Sequence, residues 1–413
     1  MKSYFPLVGV LTILLASLSL AQNLNWNLTG AGARAEGLGG AFIGVADDAT
    51  AIVWNPAGLT QLERTEISTV GRYISETSEF KSNLTSDTFT LSTTQSHFNF
   101  NFASLAVPVS VAGTNVVLAV AYQTQLDFYS KEGGQDFETE SSGLASTVTP
   151  GVAVRLGPVF SLGATANIWF GSQEYTQKYT SGTYAGEIDK TNPTFSGLNF
   201  GAGALIDLGG LPNPIPVKIG ASIKTPFTLK ADVDFSFAVP TSTLSGKYTW
   251  DTEMPLMAGF GASVRIGENL TVAADYEMRM FKDANTTVSY NGQTILTQHL
   301  SASNENLNQF RVGAEYLIVT GAGAIPVRGG FRTVPTVRAN YTWNRDSLQY
   351  FPGDQVAGIG FSAGTGFISS DFALDFAYSR EQYDEQQWTD AGVSDFTNNY
   401  NFGRFSLSLI VYF

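Results

Sequence analysis

Arg404-Phe405-Ser406-Leu407-Ser408-Leu409-Ile410-Val411-Tyr412-Phe413 ends the chain. Side chains of an extended backbone alternate between two faces. Phe405, Leu407, Leu409, Val411 and Phe413 therefore share one face, and Ser406, Ser408 and Tyr412 fall mostly on the other. A soluble protein buries such a strand and follows it with a polar tail. Here the sequence stops on an aromatic residue, which predicts an outer-membrane β-barrel.

The same rhythm runs back to Glu66. Alternating stretches lie near 66–75, 96–109, 115–129, 148–156, 159–171, 194–207, 215–226, 254–266, 270–281, 308–319, 325–333, 355–366, 371–380 and 402–413, which makes fourteen expected strands. An even number is what a bacterial single-chain barrel requires. Val217, Ile219, Ala221 and Ile223 oppose Lys218, Gly220, Ser222 and Lys224, and Phe372, Leu374, Phe376 and Tyr378 oppose Asp371, Asp375 and Ser379. A charge facing lipid costs about 2–4 kcal/mol near the midplane, so the charged face is assigned to the lumen.

Connections alternate in length. Short turns fall at Ser110–Thr114, Gly157-Pro158, Leu208–Pro214, Gly267–Asn269, Thr320–Ala324 and Gly366–Ser370. Long polar loops are expected at 76–95, 130–147, 172–193, 227–253, 282–307, 334–354 and 381–401. Short periplasmic turns and long outer loops give this pattern, with both chain ends in the periplasm. A β-sandwich also has many short strands, but nothing obliges its loops to alternate in length.

Composition agrees. Of 413 residues only 14% are charged, against about a quarter in ordinary globular chains, while Phe (29), Tyr (17) and Gly (42) are abundant. Few charges and many aromatics suit a lipid-facing wall with aromatic rims. The net charge of −13 argues against nucleic acid as a partner, since no basic patch is present to neutralise phosphates. With no cysteine, disulfides and thiolate chemistry are excluded.

Met1–Ala21 reads as a signal peptide, with Lys2 as the positive region, Leu7–Leu18 as the apolar core and Ser19-Leu20-Ala21 before the cut. That apolar run is shorter than the roughly 20 residues a helix needs to span a bilayer. Residues 22–65 form a separate unit, rich in Gly and Ala and without alternation. Asp47-Asp48 is read as a helix-capping pair, with calcium binding as the weaker reading. Asn55-Pro56 is read as an N-cap with proline at the first helical position, opening a short helix through Leu62. The unit is too small to be stable alone, and a barrel of this size has a lumen to fill. It is expected to be a hatch inside the barrel formed by 66–413.

The run Gly37-Leu38-Gly39-Gly40-Ala41-Phe42, then Ala46-Asp47-Asp48-Ala49, then Trp54-Asn55-Pro56-Ala57-Gly58-Leu59 resembles the N-terminal hatch of the FadL/OmpP1/TodX family of outer-membrane transport proteins. Asn55, Pro56 and Ala57 are its most specific piece. The resemblance implies a passive channel carrying hydrophobic compounds, such as long-chain fatty acids or aromatic hydrocarbons, past a hatch and out through a gap in the wall. Barrels related to the type IX secretion protein PorV share a similar opening, which leaves a secretion or assembly platform holding protein cargo as the alternative. The start of the mature chain, Gln22-Asn23-Leu24-Asn25-Trp26-Asn27, departs from a greasy ligand contact by being mostly polar.

Catalysis finds little footing. His97, in Ser96-His97-Phe98, has no acidic partner at a defined spacing, and His299 lies in a polar stretch. The predicted protein is not an enzyme and carries no cofactor or metal. Leu38, Phe42, Ile43 and Trp54 are the candidate walls of a greasy pocket, or else packing of the hatch. Arg265 and Arg311 are the candidates among the lumen charges to meet a ligand carboxylate. The expected partners are a hydrophobic small molecule, outer-membrane lipid and lipopolysaccharide, and the barrel-assembly machinery through the C-terminal strand. The expected location is the cell outer membrane of a Gram-negative-type bacterium.

Overall fold

The computed structural model describes residues 30–82, 89–134, 136–239, 242–344, 349–388 and 394–413. The expected signal peptide and the polar stretch after it lie outside these residues.

The wall is a closed antiparallel barrel of fourteen strands. They are β1 (Glu66–Ser82), β2 (Phe89–Val111), β3 (Thr114–Asp127, resuming as Ser130–Gly133), β4 (Phe137–Leu156), β5 (Phe160–Tyr179) and β6 (Ile188–Asp207). Four strands in two segments follow: β7 (Val217–Lys224 and Phe227–Val239), β8 (Ser242–Met254 and Met257–Ile266), β9 (Leu270–Arg279 and Asn285–Tyr290) and β10 (Gln293–His299 and Leu307–Thr320). β11 (Gly323–Asn344), β12 (Gln349–Ile368), β13 (Phe372–Trp388) and β14 (Ser394–Tyr412) complete the sheet. β14 closes on β1 from Glu66↔Tyr412 to Ser82↔Phe396. No helix among the described residues is long and apolar enough to cross a membrane.

The terminal strand behaves as its alternation demands. Phe405 is 58% exposed on the outer wall, while its neighbours Arg404 and Ser406 are buried on the lumen side. Ile67, Phe260, Tyr316, Phe361 and Phe376 continue the outward apolar band on other strands.

The expected long loops are largely strand. β1 runs on to Ser82, β7 to Val239 and β13 to Trp388. Beyond the bilayer no lipid face imposes outward apolar residues, so the sequence loses that signal while the backbone ladder continues. Some loop tips of the sequence reading (83–88, 135, 240–241, 345–348 and 389–393) lie outside the described residues.

Gly30–Arg64 is tied to strands all round the bore. It holds two short helices, α1 (Ala33–Gly37) and α2 (Ala51–Trp54), and a 3-10 helix, Pro56–Gln61. Asn55 Oδ1 accepts from the Ala57 amide, and Pro56 opens the turn, so the expected cap exists on a 3-10 rather than an α-helix. The Asp47-Asp48 pair does not cap α2, whose first turn has no side-chain cap. Asp48 accepts from the Thr50 amide at 2.8 Å, the two-residue reach of an Asx turn, and Asp47 pairs with Arg34.

Two kinds of contact seat this segment. On β5–β7 the wall supplies glycines: a Cβ at Gly163 would overlap Pro56, one at Gly203 would overlap Asn55 Oδ1, and one at Gly220 would overlap the Ile43 carbonyl. Asn55 Nδ2 uses this closeness to donate to the carbonyls of Ile43 and Ala204, each at 3.0 Å. On β10–β14 and β1 the contacts are ionic. Arg34 meets both oxygens of Glu315, Arg328 bridges Glu315 and Asp375 at 2.6 Å each, and Arg332 bridges Glu36 and Glu381 at 2.7 Å each. Buried charges are costly unless paired, and these are paired in two groups, one around Glu315 and one around Glu36.

Arg34 is the hatch residue of the first group and Glu36 that of the second. Burial alone would raise its carboxyl, but the guanidinium groups of Arg332, Arg404 and Arg72 outweigh burial and hold it well below the usual carboxylate range. A depressed carboxylate contributes stability that is complete above its unfolded value and is lost only as pH falls through the folded value. Seating is therefore expected to persist through mild acid and to fail only in strong acid. Glu36→Gln is expected to weaken it by roughly 3–5 kcal/mol at neutral pH, the cost of breaking a buried pair. Gly220→Val is expected to displace the segment from the other side, at a cost of about 1–3 kcal/mol. Raised ion conductance in planar bilayers checks both variants, and the pH dependence of that conductance checks the sign.

Candidate functional site

Toward the end of the barrel that carries the long hairpins, the lumen becomes apolar. The cause is a change of face. In the first segment of β7, Lys218, Gly220, Ser222 and Lys224 point inward and Ile219 and Ile223 outward. Across Thr225-Pro226 the order inverts: Leu229, Ala231, Val233 and Phe235 are buried inside, and Lys230, Asp232 and Asp234 are exposed outside. β8 inverts in the same way at Pro255-Leu256, with Tyr248, Trp250, Thr252 and Met254 inward above it and Met257, Gly259, Gly261 and Ser263 inward below. Proline cannot donate to a ladder, so it sits where pairing is interrupted, and a one-residue slip moves every side chain to the other face.

Leu229, Ala231, Val233, Phe235, Tyr248, Trp250, Met254 and Met257 join Leu126, Phe128, Trp169, Phe195, Phe281 and Leu307 in one buried apolar cluster. Phe128 stacks on Phe195 with ring centroids 5.0 Å apart, and Trp169 lies 5.1 Å from Phe227. Beside the cluster is a small cleft with about 20 Å³ of free volume, lined by Gln125, Asn167, Trp169, Asn199, Lys224, Thr225, Phe227, Pro255 and Met257. The amides are oriented by their neighbours: Trp169 Nε1 donates to Asn199 Oδ1 at 2.9 Å, and Thr149 Oγ1 donates to Asn167 Oδ1 at 3.0 Å. The Lys224 ammonium has no hydrogen bond or ion pair among the described residues; Glu277 acts on it only through space. An apolar chamber with a few converging polar groups at its base is the usual form of a small-molecule site.

The wall beside the chamber is incomplete. β2 pairs with β3 only from Phe102↔Gln123 to Val111↔Thr114. Above that point β3 bulges between Thr124 and Leu126 and follows β4, which carries Leu126 into the chamber. The remaining seam is crossed by side chains. His97 Nε2 bonds Asp127 Oδ2 at 2.7 Å, Asn99 Nδ2 donates to the same oxygen, and Thr124 Oγ1 donates to the Phe100 carbonyl at 2.9 Å.

The residues singled out from the sequence are not in this chamber. Leu38, Phe42, Ile43 and Trp54 are buried within the hatch and its packing against the wall, with the Phe42 and Trp54 rings edge to face at 6.1 Å. Arg311 is buried and held by Glu277 at 3.1 Å, and its guanidinium lies 5.4 Å from the Trp54 ring. Arg265 is remote from both, bonding the Glu268 carbonyl in a short turn. The structure brings Arg311 and Trp54 together and leaves Arg265 apart. His97 has an acidic partner after all, Asp127, reached across the seam. Ser96 points away from them to the outer face, where it accepts from the Tyr73 hydroxyl.

The chamber was missed because about half of its residues, among them Leu229, Val233, Phe235, Tyr248 and Trp250, lie in stretches read as loops, while the others sit at the ends of expected strands. Its signal was present: Leu229-Lys230-Ala231-Asp232-Val233-Asp234-Phe235 alternates strictly. If this surface holds apolar ligand, Val233→Glu is expected to lower retention of an apolar fluorescent probe about tenfold. Probe titration against the purified barrel checks this, with heat-modifiable gel mobility as the control for folding.

The family model described as outer membrane protein transport protein (OMPP1/FadL/TodX) matches residues 15–208. No curated protein matches the chain by sequence. Among solved structures, a FadL homologue from Pseudomonas aeruginosa superposes with a TM-score of 0.67 at 15% identity, covering 93% of this chain and 98% of its own. The Pseudomonas putida toluene transporter TodX gives 0.65 at 14% identity, covering 94% and 99%. The monoaromatic hydrocarbon channel CymD gives 0.61 at 16% identity, covering 94% and 99%. The fold of this chain is thus that of the FadL and TodX barrels.

Proposed function

We propose that this chain, matched by the FadL/OmpP1/TodX model over residues 15–208, is an outer-membrane channel for passive uptake of hydrophobic small molecules. The observation that carries this reading is the buried apolar cluster inside the outer end of a barrel whose inner bore holds a tied-down hatch. A greasy solute leaves water for the chamber because burial of apolar surface is favourable by about 25 cal/mol per Å². Gly30–Arg64 stops water and ions below it. The β2–β3 seam offers a sideways exit into the membrane, where the ladder is replaced by a few side-chain bonds. The outer wall meets outer-membrane lipid and lipopolysaccharide, and β14 is the strand offered to the assembly machinery.

Lys224 favours one class within this reading. An ammonium with no bonded partner, at the base of an apolar cleft and flanked by Asn167 and Asn199, suits a long-chain carboxylate better than a bare hydrocarbon. Lys224→Met is expected to weaken binding of a labelled long-chain fatty acid about tenfold, as a hydrogen bond to a charged group contributes about 1.5–3 kcal/mol. Toluene binding is expected to stay within about twofold. Uptake of the labelled fatty acid by cells with and without the protein tests the channel itself, and equal uptake would count against transport.

A further inference from the structure

The seam between β2 and β3 carries two amide groups that the channel reading leaves unexplained. Asn99 and Asn101 reach from β2 toward β3 on the lumen side, and both are buried, at 6% and 3% exposure. Asn99 commits its nitrogen to the Asp127 carboxylate, and Asn101 directs its nitrogen at the Thr124 carbonyl, 3.5 Å away. Each nitrogen faces an acceptor, which fixes the amide orientation. Both Oδ1 atoms are buried and without a hydrogen-bond donor among the described residues. A buried polar atom left unpaired costs free energy unless something occupies the site. Asn101 is the extra residue of a β-bulge, set between Phe100 and Phe102 where the β1–β2 register shifts, and bulges re-aim side chains.

We infer that the β2–β3 seam is a second binding site, selective for an apolar solute whose head carries a hydroxyl donor. Asn99 Oδ1 and Asn101 Oδ1 are acceptors only, and the carboxylate of Asp127 bonded to Asn99 disfavours an anion there. The chemical class is a long-chain alcohol, an alkylphenol or the neutral form of a carboxylic acid. A hydrocarbon or an ether leaves both acceptors unpaired as it passes, and sites that hydrogen-bond a hydroxyl reject analogues lacking it. The outward rings of Phe98, Phe100 and Tyr122 line the lipid side of the same seam and take the apolar body.

This inference rests on the channel reading, and one experiment separates the two. Cells carrying the full-length protein are given labelled dodecan-1-ol or its methyl ether, 1-methoxydodecane, which differ in a single donor. Wild-type protein is expected to speed alcohol uptake about fivefold more than ether uptake, the effect of one neutral hydrogen bond. Asn101→Leu, which forgoes only the 3.5 Å bond, is expected to abolish that preference while ether uptake is kept or raised. Asn99→Leu is expected to do the same, and gel mobility of the unheated barrel confirms that each variant folds. Equal protein-dependent uptake of both probes by wild type, or a preference that survives in both variants, overturns the seam site and leaves the channel standing. Uptake of neither probe above cells lacking the protein overturns both.

Discussion

In hydrocarbon a backbone N–H or C=O has no water to turn to, and each unpaired group costs several kcal/mol. Everything else in this molecule is arranged around that constraint. It is met by joining β14 to β1 along the whole of Glu66–Ser82. It also makes interruptions informative, because a ladder is given up only where other groups take over. The seam above Phe102 is such a place, and so are the breaks at Thr225-Pro226 and Pro255-Leu256. At the seam, side chains of Asp127 and Thr124 stand in for part of the missing ladder.

The same constraint explains what the sequence disclosed. Phe405 to Phe413 were legible because lipid demands an apolar outer face and the lumen tolerates serine. The strand number followed, as each crossing of the bilayer repeats that demand. The rule that sends charge to the lumen also holds for Asp275, Arg279, Glu315, Arg328, Arg332 and Asp375, all of them buried. Above the bilayer the demand reverses. Water lies outside and an apolar chamber inside, so Lys230, Asp232 and Asp234 face out while Val233 and Phe235 face in. A rule that sends charge to the lumen has the wrong sign there. The strand at Leu229–Phe235 was hidden by polarity rather than by weak alternation.

Partnerships across the wall were less legible than faces. Asp127 follows His97 by 30 residues, on another strand, and the two meet only because β3 leaves β2 and bends. No spacing rule marks that meeting. The hatch was different. Gly163, Gly203 and Gly220 sit at lumen positions of three adjacent strands, and Asn55-Pro56 needs that absence of side chains to approach the wall. Glycines on the lumen face and a motif of small residues are two halves of one contact, and both halves are visible in the chain. The ionic half of the seating, around Glu36 and Arg332, shows in the sequence only as isolated charges.

One departure of one strand ties the site together. When β3 bulges between Thr124 and Leu126 it gives up β2 and keeps β4. That single turn places Leu126 and Phe128 in the chamber, brings Gln125 to the cleft, and leaves the wall beside them held by side chains. A chamber without the seam would trap a greasy solute, since burial that favours entry equally opposes release to water. On the proposed channel reading, a seam without the chamber would have nothing to deliver. On the same reading, release into lipid would avoid that opposition, because the solute would pass from one apolar phase to another without being rehydrated. The bulge thus contributes to both features at once, adding Leu126 and Phe128 to an apolar lining that β7 and β8 supply by their change of face.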